Sequence, residues 1–321
     1  MKKIAVLADF LQPRHCAQIT ETAHRCSFEA DFYPDFVLPA DKAGDYQIVY
    51  APPFPRMVQA APHVEWFCSC YAGVDAITDD ALYPSPDTLL TNSAGSYGLT
   101  ISEHLIMVIL MLLRRMPEVQ EKLRVHRWEN VASMRSIYGS RITVLGTGDI
   151  GTNFARRAKA MGAAHICGVR RSMKACDPAF DEVCTLDSLE KVLPSTEILV
   201  MALPSTPETI GVLSRERIAL LPPEAIVVNV GRGTAVDQDA LIEALNEERI
   251  AGAALDVVVP EPVPEGHPLW SAKNLLLTPH IAGQTALPRT ADININQFCE
   301  DLENYAAGRP LAHLVDRRRG Y

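Results

Sequence analysis

From Arg141 onward the chain alternates, six times over, between a short apolar run and a polar stretch of helical period. The runs are RITVLG, AHICGV, EILVMAL, AIVVNV, AGAALDVV and NLLLTPH, and segments such as NFARRAKAM and DQDALIEALNEER lie between them. Short, continuous apolar runs suit strands buried on both faces, and parallel neighbours need a crossover, usually a helix, at each step. The alternation therefore predicts an α/β domain built on a doubly wound parallel sheet. Ligands of such sheets bind beyond the carboxyl ends of the strands, so candidate functional residues are sought just after each run.

The first hundred residues carry a second set of strand-length runs, KKIAVLADF, YQIVYA, VEWFCSC and TLLTNS, with APPFPRM and YPSPDT as connections. A helical pattern over 100–127 joins the two regions. Ser102 is placed at its opening, and Pro117 should bend it or divide it in two. Another helix is expected over 291–307. At 321 residues the chain is long enough for two domains with ample core. The expected division is 1–99 with 287–321 as a substrate domain, and 100–286 as a dinucleotide-binding domain.

Composition narrows the function classes. A hydrophobic content of 48% with 21% charged residues fits a globular protein, and a net charge of −9 argues against a nucleic-acid partner. Asp9 interrupts the apolar run at the N-terminus, which reads as a first strand rather than a signal peptide. The longest apolar segment, Leu105 to Leu113, is too short to span a bilayer. A cytoplasmic protein without a membrane partner is expected. The eight cysteines form no C-x-x-C pair, so free thiols are expected and no metal site.

TVLGTGDIG, Thr143 to Gly151, places Gly146, Gly148 and Gly151 at G-x-G-x-x-G spacing between the first of the six runs and a helix. Gly146 would end the strand, Gly148 would admit a pyrophosphate to the backbone, and Gly151 would let helix and strand pack closely. Asp149 and Ile150 open the helix, whose free N–H groups suit an anion. A carboxylate at 149 is tolerable there only if it points away. About twenty residues on, where an NAD site carries an acid for the ribose, the sequence reads CGVRRSMK. Arg170, Arg171 and Ser172 suit a 2′-phosphate, with no acid before Asp177. NADP(H) is the expected cofactor, with NAD(H) possible.

Arg232 follows AIVVNVG, Glu261 follows ALDVVVP, and His280 follows NLLLTP. Hydride transfer to a 2-keto acid needs such a set. An Arg holds the carboxylate and polarises the carbonyl, a His exchanges the proton, and a carboxylate fixes the tautomer of the His. Alone, each would more often be structural.

GTGDIG, ALPSTPETIGVLS, LLPPEAIVVNVGRGTAVDQDALIEAL, AGAALDVVVPEPVPEGHPLW and NLLLTPHIAG, in this order and spacing, closely resemble the D-isomer-specific 2-hydroxyacid dehydrogenases. CYAGVDAI and TNSAGSYGLTISEH extend the resemblance more loosely into the first region. It implies Arg232 as the substrate arginine, Glu261 as the partner of the catalytic histidine, and His280 as that histidine. It further implies that backbone N–H groups of Ala72, Gly73 and Val74 cradle the substrate carboxylate, and that Asp256 holds the nicotinamide carboxamide. Leu203, Pro204 and Thr209 would line the adenosine and pyrophosphate side. The fold implied is a Rossmann sheet plus a smaller flavodoxin-like substrate domain, with the cleft between them. The assembly implied is a homodimer paired through the nucleotide domain, with Trp128 on the dimer arm either reaching the partner's pocket or packing at the contact.

Three departures from the family's pattern are visible. No aromatic follows DV in ALDVVVPEP, Glu197 stands for the usual Asp before ILV, and GVRRS resembles the NADPH-preferring reductases of glyoxylate and hydroxypyruvate. The expected activity is NAD(P)-dependent 2-hydroxyacid dehydrogenation, run mainly as reduction of a small 2-keto acid, with His280 as proton donor. Two alternatives remain: an NAD-linked dehydrogenase of a larger or phosphorylated 2-hydroxy acid, and a dinucleotide-sensing, corepressor-like binding protein.

Overall fold

The computed structural model describes residues 1–131, 133–173, 175–285 and 287–320. Lys174, the end of the basic stretch above, and Ala286 and Tyr321, two of the expected domain bounds, lie outside the described residues. The chain forms two compact units, Met1–Tyr97 with Gln284–Tyr321, and Gly98–Gly283.

The first unit holds five parallel strands: β1 (Lys2–Val6), β2 (Phe28–Phe32), β3 (Tyr46–Ala51), β4 (Trp66–Ser69) and β5 (Leu89–Thr91), in the order β2-β1-β3-β4-β5. That is the flavodoxin-like order. β2 escapes the apolar-run reading because FEADF carries two acids and lies at the sheet edge, where only Phe28 is buried. The central strands are buried on both faces. Along β3, Ile48 and Tyr50 join one core cluster while Tyr46, Val49 and Ala51 join the other. Such two-sided burial produces continuous apolar runs rather than alternation.

The Pro288–Ala306 helix closes the first cluster, although it lies far from the strands in sequence. Its Phe298, 1% exposed, packs on the rings of Tyr50 and Trp66 with centroids 4.7 and 5.7 Å away.

The second unit contains β6 (Arg141–Leu145), β7 (His165–Val169), β8 (Glu182–Cys184), β9 (Ile198–Met201), β10 (Ile226–Asn229), β11 (Gly252–Leu255) and β12 (Leu275–Leu277). All pairings are parallel, in the order β12-β11-β10-β9-β6-β7-β8. Renumbered within the unit this is 3-2-1-4-5-6-7, the Rossmann order with one strand added. The sheet thus has seven strands rather than the six expected. β8 is a three-residue edge strand, EVC, with Glu182 exposed and only Cys184 buried, so no apolar run marks it.

The connecting helical region is two helices, Gly98–Leu113 and Met116–Arg124. The break falls at Arg115, in left-handed conformation with φ 53°, and Pro117 occupies the first turn of the second helix. A proline is tolerated there because that turn's N–H groups have no helical acceptor. Ser102 does not open the first helix. It lies inside it, fully buried, donating back to the Leu99 carbonyl at 2.9 Å. Among the described residues no helix is long and apolar enough to cross a membrane.

Phe298→Ala should cost about 3–5 kcal/mol. Urea unfolding followed by the fluorescence of Trp66 is the measurement, and a loss under about 1 kcal/mol would place the helix outside the first unit's core.

Candidate active site

Three neighbouring strands of the second unit end in the three candidate catalytic residues. β10, β11 and β12 are adjacent, and the loops at their carboxyl ends carry Arg232, Glu261 and His280 respectively. His280 and Glu261 are in contact, with Nδ1 2.7 Å from Oε2. The carboxylate accepts, so Nδ1 bears hydrogen and Nε2 is left as the nitrogen that gives or takes a proton. The other oxygen of Glu261, Oε1, accepts from the Val258 amide at 3.0 Å. The loop is braced from the Gln238–Asn246 helix, where Gln238 Oε1 accepts from Val259 N–H at 2.8 Å. Arg232 is half-buried and donates to the Gly231 carbonyl, while the Asn229 amide donates to the carbonyl of Arg232, each at 2.8 Å.

His280 has φ 54°, a left-handed backbone that costs a non-glycine residue about 1–2 kcal/mol. Asp256 holds it there. The carboxylate, 4% exposed, accepts at Oδ1 from the Thr278 hydroxyl at 2.5 Å and from Ile281 N–H at 2.9 Å. At Oδ2 it accepts from Ala282 N–H at 3.0 Å, and its main-chain oxygen accepts from His280 N–H at 2.9 Å. Asp256 is therefore the hub of the His280 turn, a role its sequence position did not disclose. Behind it stands His104 on the Gly98–Leu113 helix, with Nε2 3.4 Å from the Thr278 hydroxyl. That hydroxyl spends its one proton on Asp256, so it can only accept from His104, which makes Nε2 the protonated nitrogen of the ring. Burial pushes the His104 pKa down, against the pull of the Asp256 charge.

The glycine loop runs from β6 into the Asp149–Ala160 helix. Gly146 has φ 102°, and a Cβ there would lie 2.6 Å from the Ala202 carbonyl oxygen. At Gly151 a Cβ would come within 1.9 Å of the Gly146 oxygen. Both glycines are demanded by the chain itself. Gly148 is not, because a Cβ there would meet nothing within 4 Å. Its open side, at the start of a twelve-residue helix, is where a phosphate can approach backbone. The Asp149 carboxylate accepts from Gly98 N–H at 2.7 Å and from the Asn153 amide at 2.8 Å. Ile150 follows it in the first turn.

Arg170, Arg171 and Ser172 directly follow β7, with Arg171 and Ser172 exposed. Arg170 donates to the Ala175 carbonyl at 3.2 Å. The next acid in sequence, Asp177, is committed to Arg156, whose Nε lies 3.0 Å from Oδ2, and to the Ala179 amide. Leu203 and Pro204 follow β9. Thr209 is 7% exposed, and its hydroxyl closes the loop on the Pro204 carbonyl at 2.6 Å, so within the chain it acts as a loop brace. Ala72, Gly73 and Val74 follow β4 in the first unit.

A profile described as "D-isomer specific 2-hydroxyacid dehydrogenase, NAD binding domain" matches residues 106–282. The chain belongs to that family. It is 30% identical over 285 residues to glyoxylate/hydroxypyruvate reductase A of Yersinia enterocolitica, covering 86% of this chain and 88% of that one. A family protein from Aeromonas salmonicida superposes with a TM-score of 0.85 at 29% identity, over 98% and 99% of the two chains. A D-isomer specific 2-hydroxyacid dehydrogenase from Xanthobacter autotrophicus, in complex with NADPH and MES, gives 0.82 at 31% over 100% and 99%. The protein is accordingly an oxidoreductase with an NAD-binding domain.

His104 supplies a pH prediction. Its folded pKa lies below the ordinary imidazole value of about 6.5, so the unfolded chain takes the proton first. Its contribution to stability is complete above that value and is lost as pH falls from there through the folded pKa. The thermal midpoint should fall more steeply between about pH 7 and pH 5 in the native chain than in His104→Gln. Equal slopes would refute the assignment.

Proposed function

We propose that this enzyme reduces a small 2-keto acid of the glyoxylate or hydroxypyruvate class to the D-2-hydroxy acid, with NADPH as hydride donor. The observation that carries the reading is the His280–Glu261 pair at 2.7 Å, set at the carboxyl end of the sheet beside the loop of Arg232. When bound, the dinucleotide supplies the hydride, which the chain has no group to provide. Arg232 binds the substrate carboxylate and polarises the carbonyl. Protonated His280 gives the proton on Nε2 to the carbonyl oxygen as it gains negative charge, and Glu261 stabilises the orientation from which it does so. In the opposite direction neutral His280 accepts the alcohol proton.

The preference for NADPH rests on the basic turn after β7. Arg171 and Ser172 offer an exposed cation and a hydroxyl, while Asp177, paired with Arg156, is not available to a ribose hydroxyl. The NADPH bound to the Xanthobacter relative supports the same choice. Gly146, Gly148 and Gly151 with the amides of Asp149 and Ile150 take the pyrophosphate. Leu203 and Pro204 would line the adenosine side, and Asp256 would hold the carboxamide. We also propose a cytoplasmic homodimer, which would cover Trp128 (94% exposed), Val125 and Tyr138.

Initial rates with glyoxylate, hydroxypyruvate and longer 2-keto acids, run separately with NADPH and NADH, test the reading. The smallest acids with NADPH should turn over fastest, and failure of every 2-keto acid to oxidise either cofactor would overturn it. His280→Ala should lower kcat by about 10²–10⁴ while NADPH still quenches protein fluorescence at the same concentration. Arg171→Ala should raise KM for NADPH about tenfold and leave KM for NADH in place.

A further inference from the structure

The loop after β4 is held by its carbonyl groups, one after another. The Ser69 oxygen lies 2.9 Å from the Ser93 hydroxyl. The Cys70 oxygen accepts twice, from the Tyr97 hydroxyl and from the Asn294 amide, both at 2.7 Å. The Tyr71 oxygen accepts from the Ser69 hydroxyl at 2.8 Å, and the Ala72 oxygen from the Asn92 amide at 2.8 Å. Ser69, Asn92, Ser93, Tyr97 and Asn294 are all buried, none more than 9% exposed. The amide orientation of Asn294 is fixed by its surroundings. Nδ2 faces a carbonyl that can only accept, and Oδ1 takes the Tyr50 hydroxyl at 2.7 Å.

In a trans peptide the C=O of one residue and the N–H of the next point in opposite directions. Fixing the Tyr71 and Ala72 oxygens inward therefore turns the N–H groups of Ala72 and Gly73 outward. Neither these two nor Val74 N–H finds an acceptor among the described residues. Successive backbone N–H groups aimed the same way form an anion-binding concavity. Buried polar side chains are costly unless paired, and here their pairing is spent on orienting one loop.

We propose that Asn92, Tyr97 and Asn294 are positioning residues for the substrate carboxylate: Asn92 holds the Ala72 carbonyl inward and so turns Gly73 N–H outward, while Tyr97 and Asn294 anchor the start of the loop at the Cys70 carbonyl, so that the loop bearing the amides of Ala72, Gly73 and Val74 is preset to receive it. This rests on the reading of the enzyme as a 2-keto acid reductase. The ligand class is a single planar carboxylate on a small acid, bound in this loop by neutral dipoles.

The test compares Asn92→Asp, which replaces a donor by an acceptor opposite the Ala72 oxygen, with Tyr97→Phe, which removes one oxygen atom and keeps the ring. Asn92→Asp should raise KM for glyoxylate about tenfold or more, as expected for losing a buried donor. The inhibition constant of oxalate, which has no reducible carbonyl, should rise by the same factor, with kcat and KM for NADPH within about twofold of native. Tyr97→Phe should act in the same direction but weakly, because Asn294 still holds the Cys70 oxygen. In an Asn294→Asp background its effect should grow.

A lowered kcat with unchanged KM and unchanged oxalate inhibition in both variants would mean a merely structural role and would overturn the proposal. Calorimetric titration of oxalate into the native protein and Asn92→Asp separates the two readings. If the native protein reduces no 2-keto acid yet binds oxalate, and Asn92→Asp binds it more weakly, the cradle stands and the reductase reading fails. An active native enzyme whose oxalate affinity is untouched by Asn92→Asp refutes the cradle alone.

Discussion

One buried carboxylate fixes the geometry on which the His280–Glu261 pair depends. Asp256 is almost wholly removed from water, and a charge in that position is tolerated only when its lone pairs are filled. They are filled by the Thr278 hydroxyl and by the amides of Ile281 and Ala282, all from the turn that carries His280. The cost of burying the charge and the cost of the left-handed His280 backbone are offset by the same bonds. Loosening the turn would leave Asp256 unpaired, so the strained conformation is over-determined rather than merely allowed.

The same pattern recurs around the sheet. Several strand-end loops bearing candidate residues are closed by bonds from polar side chains. Gln238 braces the Glu261 loop, Thr209 closes the loop after Pro204, and Asp177 ties the basic turn to Arg156. Parallel strands deliver loops to one edge but do not shape them. The braces do, and they come from polar side chains whose alternative, burial without a partner, is more costly.

This explains which parts were legible in the sequence. Periodicity and turn chemistry revealed the central strands of both sheets, because a strand covered on both faces must be apolar throughout. The edge strands Phe28–Phe32 and Glu182–Cys184 carry acids among few apolar residues and leave no such trace, whereas the edge strands Leu89–Thr91 and Leu275–Leu277, rich in leucine, do. Spacing also led to Glu261 and His280, since both follow strands that are individually recognisable. Their supports, His104, Asp256 and Gln238, lie at long sequence separation from what they hold. Nothing local distinguishes a half-buried His in the middle of the Gly98–Leu113 helix from one at its surface. Asn92 and Asn294 were silent for the same reason, as their role exists only once β4 and the Pro288–Ala306 helix are side by side.

Asp149 resolves the oddity of an acid within an anion-binding glycine loop. Its charge is directed to Gly98 N–H, the first group of the long Gly98–Leu113 helix, and shared with Asn153. Burial pushes the carboxyl pKa up, and the bonds from Gly98 and Asn153 pull against that rise. Gly98 is bound into the arrangement by sterics, because a Cβ there would lie 2.3 Å from Asp149 Oδ1. The carboxylate is thus turned to the start of one helix while the backbone of the same residue opens the next. A residue that looks like a repulsive neighbour for phosphate instead locks the two helix starts together, and a Cβ built at Gly148 would meet nothing within 4 Å.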